Sequence, residues 1–533
     1  MSNRNLFGTT PIQVPNRSGF DLSHENMLTL KCGQLVPVMT DLLIPGDRVS
    51  VGSAFEIQLP PMATDFYGRV RFKMEAFFVP CRLLYGGWQK FMTSPTGNNA
   101  PSVASVSSML PFCVVPAEEA SVLGRGSLAD YLGYKGTVNT RQRINNILRF
   151  MAYHKIYDDW YRDSRIQKPL FDEALPVTTT AASLGVATLP YQCFGGSSTL
   201  SYGAATKFAD GVDLFSLRQR NWARDYFTNA TPLPQAGTGA SLSFDVANDS
   251  GSFTIASLRA ANSLQQWLER NNIAGNRYAD QIKAHFGVMP ADAVTQRAIY
   301  LGSSSSVIYN HSVYQTTSVD NSVTGSSNPF ATVGAKYASP IGSDKSSLVG
   351  DFSVTEFGYL MVIGSIVPDA VYATGINRDF FRLQIGDFAF PLLQGVGDQP
   401  IYKAELANVG VDGDTMDVME TFGYTQRFAE YKFMEDEVHG GLCDGQSLTA
   451  FALKRSFSTL PNTVLGASFL EIPVNYLDDV AASSAAVASD YGAWADIFFQ
   501  YRKTSVLSAY TIPTLGDPHN THIESVPTGG RRL

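Results

Sequence analysis

The chain has 533 residues, of which 44% are hydrophobic, 12% aromatic and only 17% charged, and its 40 Lys and Arg against 48 Asp and Glu leave a net charge of -8. A soluble domain carries about 25% charged residues, so a surface this poor in charge is expected to be buried against other subunits of an obligate oligomer. The acidic balance excludes a chain built globally to coat a polyanion: any nucleic-acid contact has to come from a local patch or a separate basic partner.

The start, MSNRNLFGTTPIQVPNRSGF, has no apolar signal core and too few apolar residues to form a core of its own. Residues 1–26 are therefore expected to run as an extended arm on a neighbouring subunit or along the inner side of the assembly. Beyond it, 45 Gly and 27 Pro scatter turn signals along the chain, and the segments between them alternate or are rich in β-formers, which is an all-β signature. Strand candidates are LTLKCGQLVPVM (28–39), SAFEIQLP (53–60), GRVRFKMEAFFVP (68–80), SSVIYNHSVYQTTS (305–318), FGYLMVIGSIV (357–367) and ADIFFQYRKTSVLSAYTIP (495–513). In the third, Val70, Phe72, Met74 and Ala76 share one face at period two, leaving the other face basic or solvated. The longest apolar run, Tyr359 to Val367, is too short to span a bilayer.

Helices are expected between the strands. NTRQRINNILRFMAYHKIYDDWYRD (139–163) places Ile144, Ile147, Leu148 and Met151 at helical spacing, with Asn139 or Thr140 as cap. TIASLRAANSLQQWLERNNIAGNRYADQIKAHFG (254–287) reads as two helices broken at Gly275, the first burying Leu258, Leu264, Trp267 and Leu268. Stretches rich in Ser, Thr and Gly at 176–206, 231–251, 318–347 and 478–490 read as long loops or inserts. The whole is a β sandwich whose loops have grown to hold helices: residues 27–533 as one domain, with large insertions at about 82–300 and 318–350 and a loop-like tail at 512–533.

Catalytic signatures are lacking. There is no G-x-S-x-G, H-E-x-x-H or G-x-x-x-x-G-K-[ST]. Gly124, Gly126 and Ala129 match a dinucleotide fingerprint but follow no clear strand, so a turn into a helix is expected. Cys32, Cys81, Cys113, Cys193 and Cys443 are odd in number and show no C-x-x-C pairing, arguing against both a disulfide framework and a zinc site. The groups Asp412, Asp414, Asp417, Glu420 and Asp517, His519, His522, Glu524 lack a calcium-loop or zinc frame and read as solvated loop or tail. His154 reads as a hydrogen-bonded structural residue. No metal, cofactor or catalytic residue is expected.

One stretch reverses the overall sign. From Lys135 to Lys168 eight Lys or Arg stand against three Asp, interleaved with Phe150, Tyr153, Tyr157, Trp160 and Tyr161. Single-stranded nucleic acid favours such a mixture, with phosphates on the cations and bases on the rings. This makes Arg141, Arg143, Arg149, Lys155, Arg162 and Arg165 the candidate DNA contacts. The competing reading has Tyr153, Tyr157 and Trp160 packed inward while Arg162 and Arg165 pair with Asp158 and Asp163.

RSGFDLSHENMLTLKCGQLVPVMTDLLIPGD (17–47) followed by RFKMEAFFVPCRLLYGGWQKF (71–91) resembles the amino-terminal signature of the major capsid proteins of microviruses, especially the gokushovirus-like branch. Further blocks resemble the same family in order: 150–163, RNWARDYFTNATPLPQAG (220–237), 258–288, 300–318, FGYTQRFAEYKF (422–433) and 496–517. The resemblance implies an eight-stranded antiparallel jelly roll with long decorated loops. It implies assembly, in the host bacterial cytoplasm, into a T=1 icosahedral virion shell of sixty copies around single-stranded DNA. Its implied partners are a small basic internal DNA-binding protein and a receptor on the bacterial surface, with no membrane. The long insertion that commonly builds threefold protrusions in this family has no counterpart of its size here, since about 20 residues separate Gly237 from Leu258. The alternative from another class is a carbohydrate-binding or carbohydrate-processing β sandwich, because this architecture hosts both, with 411–420 as its nearest acidic cluster.

Overall fold

The computed structural model describes residues 17–59, 67–85, 113–115, 122–136, 142–170, 214–234, 277–292, 294–309, 312–314, 336–338, 341–395, 397–407, 420–457, 465–477 and 492–507, with isolated positions at 88, 92 and within 259–271. The strands, in chain order, are β1 (Ser18–Asp21), β2 (His24–Leu30), β3 (Val36–Leu43), β4 (Arg48–Gln58), β5 (Val70–Pro80), β6 (Cys113–Val115), β7 (Gln142–Ile144), β8 (Ile299–Ile308), β9 (Ser312–Tyr314), β10 (Lys336–Ala338), β11 (Ile341–Ser353), β12 (Gly358–Pro368), β13 (Asp398–Tyr402), β14 (Thr421–Gln426) and β15 (Ala493–Ser505). The protein is mostly β, and its paired strands are antiparallel.

Two sheets make the body. In the first, β15 pairs with β4 along one edge and β4 with β11, while β1 and β2 lie end to end along the other edge of β15. The second has the order β3-β12-β5-β8. Alternation along the strands brings the sheets together: Val49, Val51, Phe55 and Ile57 of β4 and Ala495, Ile497, Phe499 and Tyr501 of β15 point into a core shared with Phe72, Met74, Leu360 and Val362. Phe55 and Phe72 meet across it edge to face, ring centres 4.9 Å apart. Each such side chain, fully buried, contributes about 1.5–3 kcal/mol.

The second sheet is covered on both faces, and every residue of β12 is buried. Its outward residues Tyr359, Met361 and Ile363, with Phe77 and Val79 of β5, pack against Leu148, Phe150, Met151, Tyr153 and Ile156 from the inserted segment. The outer face of β5, expected to be basic or solvated, is so at the partly exposed Arg71 and Lys73, but its far end at Phe77 and Val79 is roofed by this layer. A third, smaller core gathers Tyr226, Phe227, Tyr372, Ile401, Phe422, Phe469 and Leu470 around the β13–β14 pair.

Several expectations change. The helix expected over 139–163 starts only at Leu148 and continues to Ile156, then widens to a π turn at Tyr157–Tyr161. Ile144 belongs to β7, paired with Cys113, and Asn146 makes the break by accepting the Leu148 amide on Oδ1 at 2.9 Å. The stretch 318–347, expected as loop, contains the start of β11, a Ser-rich edge strand held by its backbone pairing to β4 and not by apolar alternation. Residues 18–26 of the expected arm pair with β15 of their own chain, and residues 1–16 lie outside the described residues. Leu264 and Trp267 are half exposed and not core, while Leu258 and Leu268 lie outside the described residues.

Gly302 of β8 sits where β8 crosses β11 at the edge between the sheets. A Cβ there would stand 2.2 Å from the Leu348 carbonyl oxygen, a backbone atom that cannot swing aside. Gly302→Ala is expected to cost about 3 kcal/mol, read as a lowered midpoint in denaturant unfolding of the purified chain; an unchanged midpoint would show that the two edges are free to part.

Candidate nucleic-acid interface

The basic segment is locked into the subunit by its own acids. Lys155 Nζ lies 3.0 Å from Asp159 Oδ1, Arg162 Nε 2.7 Å from Asp158 Oδ1, and Arg165 Nη2 2.8 Å from Asp163 Oδ2, and all six side chains are largely buried. Helical spacing explains the first two, because residues four apart share a face. The carboxylates also serve the backbone: Asp158 accepts from the Leu170 amide and Asp159 from the Ala298 amide. Burial raises the Asp159 carboxyl, opposed by the Lys155 charge and these hydrogen bonds. Arg165 further donates to the Asn229 carbonyl.

The aromatic residues are occupied as well. Phe150, Tyr153 and Tyr157 are buried, so they offer no ring for base stacking. Tyr153 donates its hydroxyl to the Leu35 carbonyl at 2.7 Å and accepts the Arg218 amide at 2.8 Å. Trp160 gives its indole N–H to the Ala298 carbonyl and carries the Arg297 guanidinium 4.3 Å above its ring. His154 is fully buried, with Nε2 2.7 Å from the Leu214 carbonyl and Nδ1 3.2 Å from Arg218 Nε. Burial, then the Arg218 charge, holds its pKa well below the usual value. The imidazole is therefore neutral, donating from Nε2 and accepting at Nδ1.

Of the six candidate contacts, Arg149 is partly exposed, donates to the Leu132 carbonyl and stands 6.0 Å from the centre of the Tyr359 ring. Arg141 and the side chain of Arg143 lie outside the described residues. The structure thus brings Lys155, Arg162 and Arg165 together as three internal ion pairs. A phosphate reaching them would have to displace a buried carboxylate.

The network that sequence reasoning missed joins β5 to this layer. Glu75 accepts Tyr161 Oη at 2.6 Å and Arg220 Nη1 at 2.6 Å, and Arg220 also lies 5.2 Å above the Tyr161 ring. Burial alone would raise the Glu75 carboxyl; the Arg220 charge and these hydrogen bonds outweigh it and hold it low. The one sequence signal was a lone acid in an otherwise basic and apolar strand, RVRFKMEAFF.

Other candidates resolve plainly. Ser127 caps a four-residue helix after Gly126, and no described strand leads into it. Of the two acidic groups only Glu420 is described, paired with Lys403; the rest lie outside the described residues. Among the described residues no group of His, Cys, Asp and Glu could hold a metal, and no helix is long and apolar enough to cross a membrane. Glu435 is the most perturbed exposed-edge acid: burial and Asp225, then Asp436 and Glu437, push its carboxyl up to about 7 against the hydrogen bond it accepts from the Tyr226 amide.

The sequence profile of the family described as "Capsid protein (F protein)" matches residues 10–248 and 168–515. Among curated proteins the chain is similar to Capsid protein VP1 of Chlamydia phage 1, 26% identical over 608 residues covering 96% of this chain and 98% of that protein. It is similar to Capsid protein VP1 of Bdellovibrio phage phiMH2K at 25% over 548 residues, with the same shares of 96% and 98%. Capsid protein VP1 of Spiroplasma virus 4 is 27% identical over 537 residues, covering 88% and 90%.

Two predictions follow from these geometries. Arg220→Ala leaves Glu75 buried without its cation and should destabilise the fold by about 3 kcal/mol, measured by denaturant unfolding; a loss no larger than that of an exposed arginine would show the pair to be dispensable. Because the folded pKa of Glu435 lies above its ordinary 4.5, the folded chain holds an extra proton between pH 4.5 and about 7, and stability falls as pH rises through that window. Glu435→Gln, which keeps the acceptor for Tyr226, should flatten that fall and melt higher than wild type at pH 8, with the two nearly equal at pH 4.

Proposed function

The chain belongs to the capsid protein (F protein) family, and on that premise we propose that it is the major structural subunit of a bacteriophage of the Microviridae, closing into a T=1 shell of sixty copies around single-stranded DNA. It works by assembly and is not an enzyme. The observation that carries the reading is the family match, which together with the relatives extends over nearly the whole chain and so takes in the sandwich and its insertions alike. The carbohydrate-sandwich alternative has no comparable support.

The strand order supports an eight-stranded jelly roll. Taken in turn, β2, β3, β4, β5, β8, β11, β12 and β15 fall into the sheets β2-β15-β4-β11 and β3-β12-β5-β8, the arrangement of two interlocked Greek keys. The charge-poor composition favours extensive subunit contacts. In this reading the acidic subunit is helped by a small basic internal protein, assembles in the bacterial cytoplasm and meets a receptor on the bacterial surface, and residues 1–16 extend along a neighbour or the shell interior.

Genome contact within the basic segment is proposed for Arg141, Arg143 and Arg149. Lys155, Arg162 and Arg165 are assigned to holding the inserted layer, because their charges already face Asp159, Asp158 and Asp163. Electron microscopy of particles from wild type and from the variant Arg141→Gln/Arg143→Gln/Arg149→Gln tests both levels. Wild type should give closed shells, and the variant the same shells with a larger empty fraction and a weaker dependence of DNA retention on salt. Only monomers and small oligomers from wild type would overturn the capsid reading; normal packaging by the variant would overturn the arginine assignment.

A further inference from the structure

The segment Arg378–Gln394, RDFFRLQIGDFAFPLLQ, folds as three 3-10 turns, Arg378–Phe381, Ile385–Asp387 and Pro391–Leu393, outside both sheets. Apart from the buried Phe381, most of its apolar residues point outward: Phe380 is 79% exposed, Ile385 79% and Leu392 91%, and the adjoining loop adds Phe433 at 55% and Met434 at 98%. The two stretches form one surface. Arg382 lies over both the Phe388 and Tyr431 rings, at 5.6 and 4.7 Å, and Arg427 donates to the Gly386 carbonyl at 2.8 Å. Phe380, Tyr431, Phe433 and Met434 line a common groove of about 650 Å³.

The display is rigidly built. Asp387 Oδ2 accepts the amides of Leu383 and Gln384, Asn377 caps the first turn, and Arg378 is anchored to Glu405 at 2.6 Å. A fixed scaffold therefore holds out a row of apolar side chains that also includes the exposed Leu383, Phe388, Phe390 and Tyr431; at about 150–250 Å² for a whole aromatic side chain, their exposed parts sum to something on the order of 1,000 Å². The largest apolar patch of a typical monomer is about 300–600 Å², whereas a specific interface takes about 800 Å² from each partner. The edge of the patch carries both signs, Asp379, Asp436 and Glu437 against Arg382 and Lys432, and offers no run of cations for nucleic acid or anionic lipid.

We infer that this surface, centred on Phe380, Ile385, Leu392 and Met434, is the seat of a neighbouring copy of the same chain. The inference rests on the capsid reading, which supplies that neighbour at every position of a closed shell. An apolar patch of this area, left open by the subunit and rimmed by charged residues of both signs, has the core-and-rim build of a subunit contact.

Met434 gives a test without mutation. Its sulfur takes up an oxygen from hydrogen peroxide and releases water, at a rate set by access. Mass spectrometry should find Met434 sulfoxide forming at least about tenfold more slowly in particles than in released subunits that keep their β-sheet circular dichroism; equal rates overturn the inference. In parallel, Ile385→Asp/Leu392→Asp should keep the wild-type melting temperature, because neither residue is buried in the subunit, yet sediment as free subunits. Assembly of that variant like wild type also overturns it, and if the variant fails to fold the Met434 rates decide. Should wild type give no particles, the capsid reading fails and the patch is judged on small oligomers alone: self-association of wild type that the variant loses supports it, and no self-association, or no difference, sinks it.

Discussion

The structure depends on one constraint, that β12 has no face left for water. An antiparallel strand of eleven buried residues needs two roofs. The sheet containing β4 and β15 supplies one, and the segment from Leu123 to Phe215 supplies the other through Leu128, Leu148, Met151, Tyr153 and Leu214. Everything in that second roof follows from being pressed onto an apolar sheet. Its cations must find carboxylates within the layer, its histidine must be neutral, and its tyrosine hydroxyls must reach backbone or carboxylate partners, because an unpaired charge or donor there would cost more than the roof gains.

The same constraint decides what the sequence could reveal. In β4 and β15 period-two alternation is plain, since one face is core and the other open in the subunit, and both strands were expected, though 53–60 misses the first five residues of β4 and 495–513 runs past the end of β15 at Ser505. The unbroken run in β12 was legible as a strand by its length and β-branched content, but its meaning, a sheet covered twice, needs the partner layer to be seen. β11 was hidden because an edge strand rich in Ser, Gly and Asp carries its pairing in the backbone and shows no apolar period. The helix start was misplaced for a local reason: Ile144 satisfies helical spacing by chance, and a single Asn146 side chain moves the boundary.

The basic segment shows the limit of counting charge along a chain. A local excess of cations is real in sequence, yet Asp158, Asp159 and Asp163 are placed to neutralise the three cations nearest them in space. Arg149, partly exposed at the start of the helix, stands apart from those three pairs. The apolar surface at 378–394 was not singled out in the sequence, because its run of Phe, Leu and Ile has neither helical nor strand period. Without periodicity such a segment has no continuous face to bury, and here only Phe381 turns fully inward, onto Tyr402.

The place of β15 bears on when the subunit can exist at all. This strand, formed from residues near 500, lies in the middle of its sheet, between β4 on one side and β1 and β2 on the other, so among the described strands β1 and β2 are paired to the rest of that sheet through it. On the ribosome, the strands made first must wait through more than four hundred residues for their central partner, with β4 offering an open edge meanwhile. Such a topology makes folding slow and exposes the nascent chain to mispairing. A chain released before residue 493 lacks the strand on which β1, β2 and β4 all pair.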